Sequence, residues 1–133
     1  MKIIIAGAGE VGFHLAKLLS FESQDITLID NEKANLTYAD THLDIKVVKG
    51  NSASLAVLNE AEVSSADLMI AVTSSETTNF TTCVLAKQLG VKSTVARISN
   101  TEYVSSIGDI DFKSLGIDEL ISPEELASDE IQL

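Results

Sequence analysis

Short runs of apolar, often β-branched residues alternate with longer amphipathic stretches along all 133 residues, with no hairpin signal between them. That alternation narrows the fold more than any other feature. Strands joined through helices run parallel, linked by right-handed crossovers, and helices then cover both faces of the sheet. Ile3-Ile4-Ile5-Ala6 reads as a buried strand ending at Gly7, and Val11, Leu15, Leu18 and Leu19 follow helical spacing over 10–20. Further strands are expected over 25–29, 44–49, 66–72, 93–98 and 118–121. Helices are expected from Asn31, a candidate N-cap, over 54–61 with Leu55 and Leu58 turned inward, and over 78–89 up to Gly90. A weaker helix over 102–107 and a last one from Pro123, capped by Ser122, complete the pattern. The fold class is therefore α/β, a doubly wound, Rossmann-like parallel sheet of about six strands. The last helix would end on Leu133 with nothing to cover it, so residues 1–133 are expected to be one dinucleotide-binding domain cut from a longer protein.

Composition removes several function classes. Apolar residues make up 45% of the chain, enough for a real core and too many for a disordered tail. The one cysteine, Cys83, permits no intrachain disulfide, and its place beside Phe80 and Val84 suits a buried, inert thiol. Nine basic residues face twenty acidic ones for a net charge of −11, and no basic run exceeds single residues, which argues against a nucleic-acid partner. No apolar run is long enough to span a bilayer, and the apolar start breaks at Gly7, too soon for a secretory signal. His14 sits one step off the apolar stripe of its helix, and His42 falls in the loop after the second helix without a carboxylate or cysteine nearby in sequence. No spacing typical of a metal site or of covalent catalysis occurs.

The chemistry concentrates in Gly7-Ala8-Gly9-Glu10-Val11-Gly12. A G-x-G-x-x-G is weak alone, but here it leaves a strand and opens a helix. Gly7 permits the tight turn, Gly9 leaves room for a pyrophosphate against the backbone, and Gly12 lets helix and strand approach; the helix N-terminus then offers free N–H groups to the anion. Asp30, eighteen residues after Gly12 and at the end of the second strand, is placed to accept hydrogen bonds from ribose hydroxyls and to repel a 2′-phosphate. A helix-charge role is its alternative. Asn51 and Ser52, after the third strand, border the expected adenine pocket, or form an ordinary turn. Thr73 and Ser74, after the fourth strand, and Asn79, one turn into the next helix, are placed toward the phosphates or second ribose, or serve as capping residues. Arg97, the single arginine, lies among Val95, Ala96 and Ile98 and needs a mate, either a phosphate or a structural carboxylate.

Taken together, GAGEVG, LID ending at Asp30, KGN at 49–51, ADLMIAVT followed by Asn79, ARI with Arg97 and ISPEELA near the end resemble the nucleotide-binding domain of TrkA-type potassium-transport regulators, the KTN or RCK domains. The resemblance covers nearly the whole chain. It implies a cytoplasmic regulator, peripheral at the inner face of the membrane, that binds NAD(H) or ATP/ADP and gates a membrane potassium transporter by conformational change, without insertion into the bilayer. It also implies a homo-oligomer, a dimer or larger ring. Gly7, Gly9, Gly12, Asp30, Asn51, Thr73 and Arg97 fall at nucleotide-contacting positions of the family, and Glu124 near the phosphates or the subunit interface. Where relatives often carry Gly-Asp, this chain has Gly50-Asn51. The resemblance points to a regulator and not an enzyme; the alternative is the cofactor-binding half of an NAD-dependent dehydrogenase, which would show hydride transfer.

Overall fold

The structure, a computed structural model, describes residues 1–100, 102–103 and 108–122. The elements are β1 (Lys2–Ala6), α1 (Glu10–Ser20), β2 (Asp25–Asp30), α2 (Lys33–His42), β3 (Lys46–Lys49), α3 (Leu55–Glu60), β4 (Leu68–Ala71), α4 (Glu76–Leu89), β5 (Ser93–Arg97) and β6 (Glu119–Ile121), with one 3-10 turn (Val63–Ser65) before β4. The six strands are all parallel, in the order β3-β2-β1-β4-β5-β6. The expected doubly wound sheet is thus what forms. The weaker helix over 102–107, apart from Glu102 and Tyr103, and the last helix from Pro123, with Glu124, lie outside the described residues.

The β-branched run at the start of the chain takes the centre of the sheet because it is apolar on both faces. Ile5 lies opposite Leu28 on one side and Ile70 on the other. Successive side chains of a strand point to opposite faces, and the core divides accordingly. Ile3 and Ile5 join Leu15, Ala16 and Leu19 of α1 and Leu36 and Ala39 of α2. Ile4 and Ala6 join Leu58 of α3 and Cys83 and Ala86 of α4. Ile3, Ile4 and Ile5 are at most 1% exposed, each contributing on the order of 1.5–3 kcal/mol by burial.

Several local expectations change. Leu55 is 53% exposed: it is the first residue of a six-residue helix, and of its two leucines only Leu58 reaches the core. His42 closes α2 instead of following it; its Nδ1 lies 2.7 Å from the Tyr38 carbonyl, and its ring stacks on Tyr38. Helix α4 begins at Glu76, two residues before the expected start, because the Ser75 hydroxyl accepts from the Thr78 N–H at 3.2 Å and caps it.

Cys83 is buried, with Sγ donating to the Val95 carbonyl at 3.5 Å. Desolvation, followed by the nearby Asp118 carboxylate, pushes its thiol up to about 12. At pH 8 the thiolate fraction is then about 10⁻⁴. A thiol reagent such as a chromogenic disulfide is expected to modify the native protein only as fast as it opens, and to react at once in denaturant. Rapid modification of native protein would contradict this placement.

Candidate nucleotide cleft

The C-terminal ends of β1 to β5 open onto one cleft of about 580 Å³ at the switch point of the sheet, where β1 sends its connection to one side and β4 to the other. It is lined by Gly7, Gly9, Glu10, Val11 and Gly12 from the first turn, Asp30 to Glu32 and Asn35 from the second, Gly50 to Ser52 from the third, Val72 to Ser75 and Thr78 from the fourth, and Arg97 from the fifth. Among the residues expected at the site, Ala8 and Asn79 do not line it. Glu124 lies outside the described residues.

The three glycines of the first turn have different physical reasons. Gly7 has φ +112°, and a Cβ there would sit 3.0 Å from the backbone of Val72 and Thr73. At Gly12 a Cβ would lie 1.6 Å from the Gly7 carbonyl oxygen, so this glycine is a packing requirement of the β1–α1 contact. Gly9 differs: its φ of −71° suits any residue, and a Cβ there would meet nothing within 4 Å. No protein atom requires the missing side chain; the space it leaves belongs to the cleft. Gly9 is also the N-cap of α1, with no side-chain cap, so first-turn N–H groups carry no capping partner. A bare helix start in a cleft favours an anion.

Asp30 is held from three directions. Its Oδ1 accepts from the Ala8 N–H at 3.0 Å, and its Oδ2 from the Glu32 N–H at 3.0 Å and Asn35 Nδ2 at 3.2 Å. Ala8 thus contributes through its backbone, tying the glycine turn to the end of β2. The Glu32 bond also corrects the expected cap of α2. Glu32, not Asn31, occupies the N-cap position, without a side-chain cap. The Asp30 carboxylate, outside the helix, accepts from the N–H of the N-cap residue itself, the donor that an N3 side chain serves in a capping box.

The wall between β4 and β5 is fixed by Asn79, which is 1% exposed. Its Oδ1 accepts from the Thr73 N–H at 2.9 Å and the Thr73 hydroxyl at 2.6 Å; its Nδ2 donates to the carbonyls of Thr73 at 3.1 Å and Arg97 at 3.2 Å. The carboxamide is fully engaged, so Asn79 positions Thr73 and Arg97 relative to each other. Ser52 is similarly occupied: its hydroxyl shares a buried 2.8 Å bond with Thr82. Asn51 is exposed, its Oδ1 accepting from the Ala53 N–H at 2.8 Å. Ser74 is exposed at the rim.

Beyond β5, Glu76 Oε1 accepts from the Ser99 N–H at 3.0 Å, the Ser99 hydroxyl and the Asn100 N–H at 2.9 Å. The Ser99 hydroxyl and the backbone amides outweigh desolvation and hold the Glu76 carboxyl below its ordinary range. This tether was missed at the sequence level, because no local spacing links Glu76 to residues 99 and 100.

Arg97 supplies the positive charge of the cleft. Its Nε is buried and has no hydrogen-bond partner, and no carboxylate among the described residues pairs with it. An unpaired buried guanidinium donor is costly. The residue lines the same cleft as the uncapped start of α1, and its charge, unpaired by any described carboxylate, fits a phosphate-bearing ligand. Among the described residues no cluster of His, Cys, Asp and Glu is arranged for a metal, and no helix is long and apolar enough to cross a membrane.

Residues 3–123 match the family of the TrkA-N domain. The chain is 44% identical over 133 residues to the Trk system potassium uptake protein TrkA of Haemophilus influenzae, covering 98% of this chain and 29% of that protein. It is 37% identical over 128 residues to the TrkA homolog of Methanothermobacter thermautotrophicus, covering 96% of this chain and 57% of that one. It therefore spans between about a third and just over half of those relatives. In fold it is similar to the TrkA-N domain of the inner membrane protein ybaL of Escherichia coli (TM-score 0.79, 16% identity, 92% of this chain and 87% of that one). It is also similar to the GsuK channel bound to NAD (TM-score 0.74, 17% identity, 90% and 21%) and to GsuK bound to ADP (TM-score 0.74, 16% identity, 91% and 31%). A parallel sheet with a glycine-turn cleft at its switch point, matched over nearly its whole length, makes this chain a member of the TrkA-N domain family.

Proposed function

We propose that this chain is the nucleotide-sensing domain of a potassium-transport regulator. It binds NAD(H), or ATP or ADP, in the cleft between β1 and β4. The bound nucleotide shifts the balance between two arrangements of the assembled protein, and that balance sets the state of a membrane potassium transporter. In this reading the domain works on the cytoplasmic side, peripheral to the membrane, as part of a homo-oligomer. No catalytic step is required, and a hydride acceptor need not be positioned.

One observation carries the reading. Gly9 leaves space that no part of the protein uses, at a helix start that no side chain caps, across from an arginine whose buried Nε has no partner. A diphosphate supplies what all three lack: volume against the backbone, acceptors for the N–H groups and a counter-charge for the guanidinium. The NAD and ADP carried by the GsuK structures are ligands of this class. Residues from five strand ends meet in the cleft, so a ligand there bears on both halves of the sheet.

Calorimetric titration with NAD⁺, NADH, ATP and ADP tests the reading. Asp30→Ala is expected to weaken whichever nucleotide binds by about 1–3 kcal/mol, the scale of losing a charged hydrogen-bond partner. Circular dichroism of the variant checks that the helices remain. No heat with any of the four nucleotides at millimolar concentration would sink the proposal, and unchanged affinity in the variant would remove Asp30 from the site.

A further inference from the structure

The hydrogen bonds around Asp30 point to a ribose-binding partner that the glycine motif does not reveal. An ionised carboxylate offers about four acceptor positions. Three are taken inside the protein, one on Oδ1 by Ala8 and two on Oδ2 by Glu32 and Asn35. One is left for a ribose that presents two adjacent hydroxyls. The second hydroxyl needs another acceptor close by, and Asn35 has one.

Asn35 lies in the first turn of α2, half-buried, and lines the cleft. Because a carboxylate only accepts, the contact with Asp30 Oδ2 must be made by the amide Nδ2, and this fixes which way the carboxamide is turned. The amide oxygen receives no hydrogen bond from any described residue, and it is not among the buried polar atoms left without a partner, so solvent or a ligand can reach it. We infer that Asn35 and Asp30 form a composite clamp for the adenosine ribose, with the carboxylate taking one hydroxyl and the Asn35 amide oxygen taking the other. The inference rests on the nucleotide reading of the cleft and adds to it a residue that selects for an intact cis-diol. The clamp divides the work: Asp30 supplies charge, and Asn35 supplies both the second acceptor and the orientation of the first.

The test compares ADP with 2′,3′-dideoxy-ADP, and NAD⁺ with its analogue lacking both hydroxyls on the adenosine ribose, on the wild-type protein and on Asn35→Ala. Alanine is the better helix former at this position, so the variant is expected to fold. Wild-type protein is expected to prefer the diol, and Asn35→Ala to lose roughly three- to tenfold of that preference, the value of one hydrogen bond and a loosened second. A role remote from the ribose, in which Asn35 only supports the start of α2, would weaken the diol and dideoxy ligands equally and leave their ratio unchanged; that result overturns the clamp while the cleft reading stands. A wild-type protein that binds the ligands without preferring the diol also overturns the clamp alone. A wild-type protein that binds none of them overturns the cleft reading itself, and the clamp with it.

Discussion

Replacing Gly12 by alanine is expected to unfold much of this domain or leave it barely stable. In the middle of a helix the change would ordinarily help by up to about 1 kcal/mol, since glycine is a poor helix former. Here the added carbon would lie 1.6 Å from the Gly7 carbonyl oxygen and 2.7 Å from its carbon. Those are backbone atoms of the turn that leaves the central strand, and they cannot swing aside as a side chain can. Helix α1 would have to lift from β1 by more than an ångström, loosening Leu15, Ala16 and Leu19, which are all buried against that face of the sheet. Overpacking of this severity costs upward of about 3 kcal/mol, against a total stability of roughly 5–15 kcal/mol for a domain. Chemical denaturation measures it. An alanine variant with a midpoint and slope like those of the wild type would show that the β1–α1 contact is wider than described.

Gly9→Val, three residues earlier, is expected to do the opposite: keep the fold and lose the ligand. The backbone there is extended, at φ −71° and ψ −161°, and the nearest atoms are beyond 4 Å from the new Cβ. The remaining cost is that of a poor N-cap residue, about 1 kcal/mol. In the cleft, however, an isopropyl group would stand where a diphosphate must approach the first-turn N–H groups. Losing two charge-assisted hydrogen bonds costs about 3 kcal/mol or more, a factor of at least about 100 in affinity. Titration of the folded variant with the nucleotide that binds wild type checks this. Undiminished binding would mean that the ligand does not sit on this turn. The contrast between the two glycines separates the stability of the site from its use.

Much of the fold was legible because its elements repeat one simple pattern. The β-branched run at 3–5, the stripe of Leu15 and Leu19, the nearly all-apolar Leu68–Ala71 strand and the stop at Gly90 each mark an element by local chemistry. What escaped depends on partners distant in sequence. Asn31 has the right side chain for a cap, but the helix starts one residue later, with Glu32 at the cap position and its N–H held by the Asp30 carboxylate. Ser52 and Asn79 are polar residues next to glycine- and serine-rich turns, and nothing local distinguishes one that faces a ligand from one that serves the interior. The structure turns the Ser52 hydroxyl to Thr82 and engages every hydrogen-bonding atom of Asn79 inside the protein. Asn35 shows the converse. As one asparagine in a polar helix start it carried no signal, and only its contact with Asp30 brings it to the cleft. Arg97 was legible as a charge in need of a mate, and among the described residues the protein provides none.

The position of β1 in the sheet has a consequence for how the protein is made. The strand that carries the glycine turn is synthesised well before one of its neighbours, β4, and before the Val72–Thr73 backbone packed against Gly7, which follow it by more than 60 residues. Arg97 comes later still. The growing polypeptide therefore cannot hold a nucleotide early, and must keep an all-isoleucine segment shielded until its second partner arrives. Once complete, a ligand spanning the turn and Arg97 fastens the earliest and latest of these pieces together, so that holding the small molecule and resisting unfolding become one property.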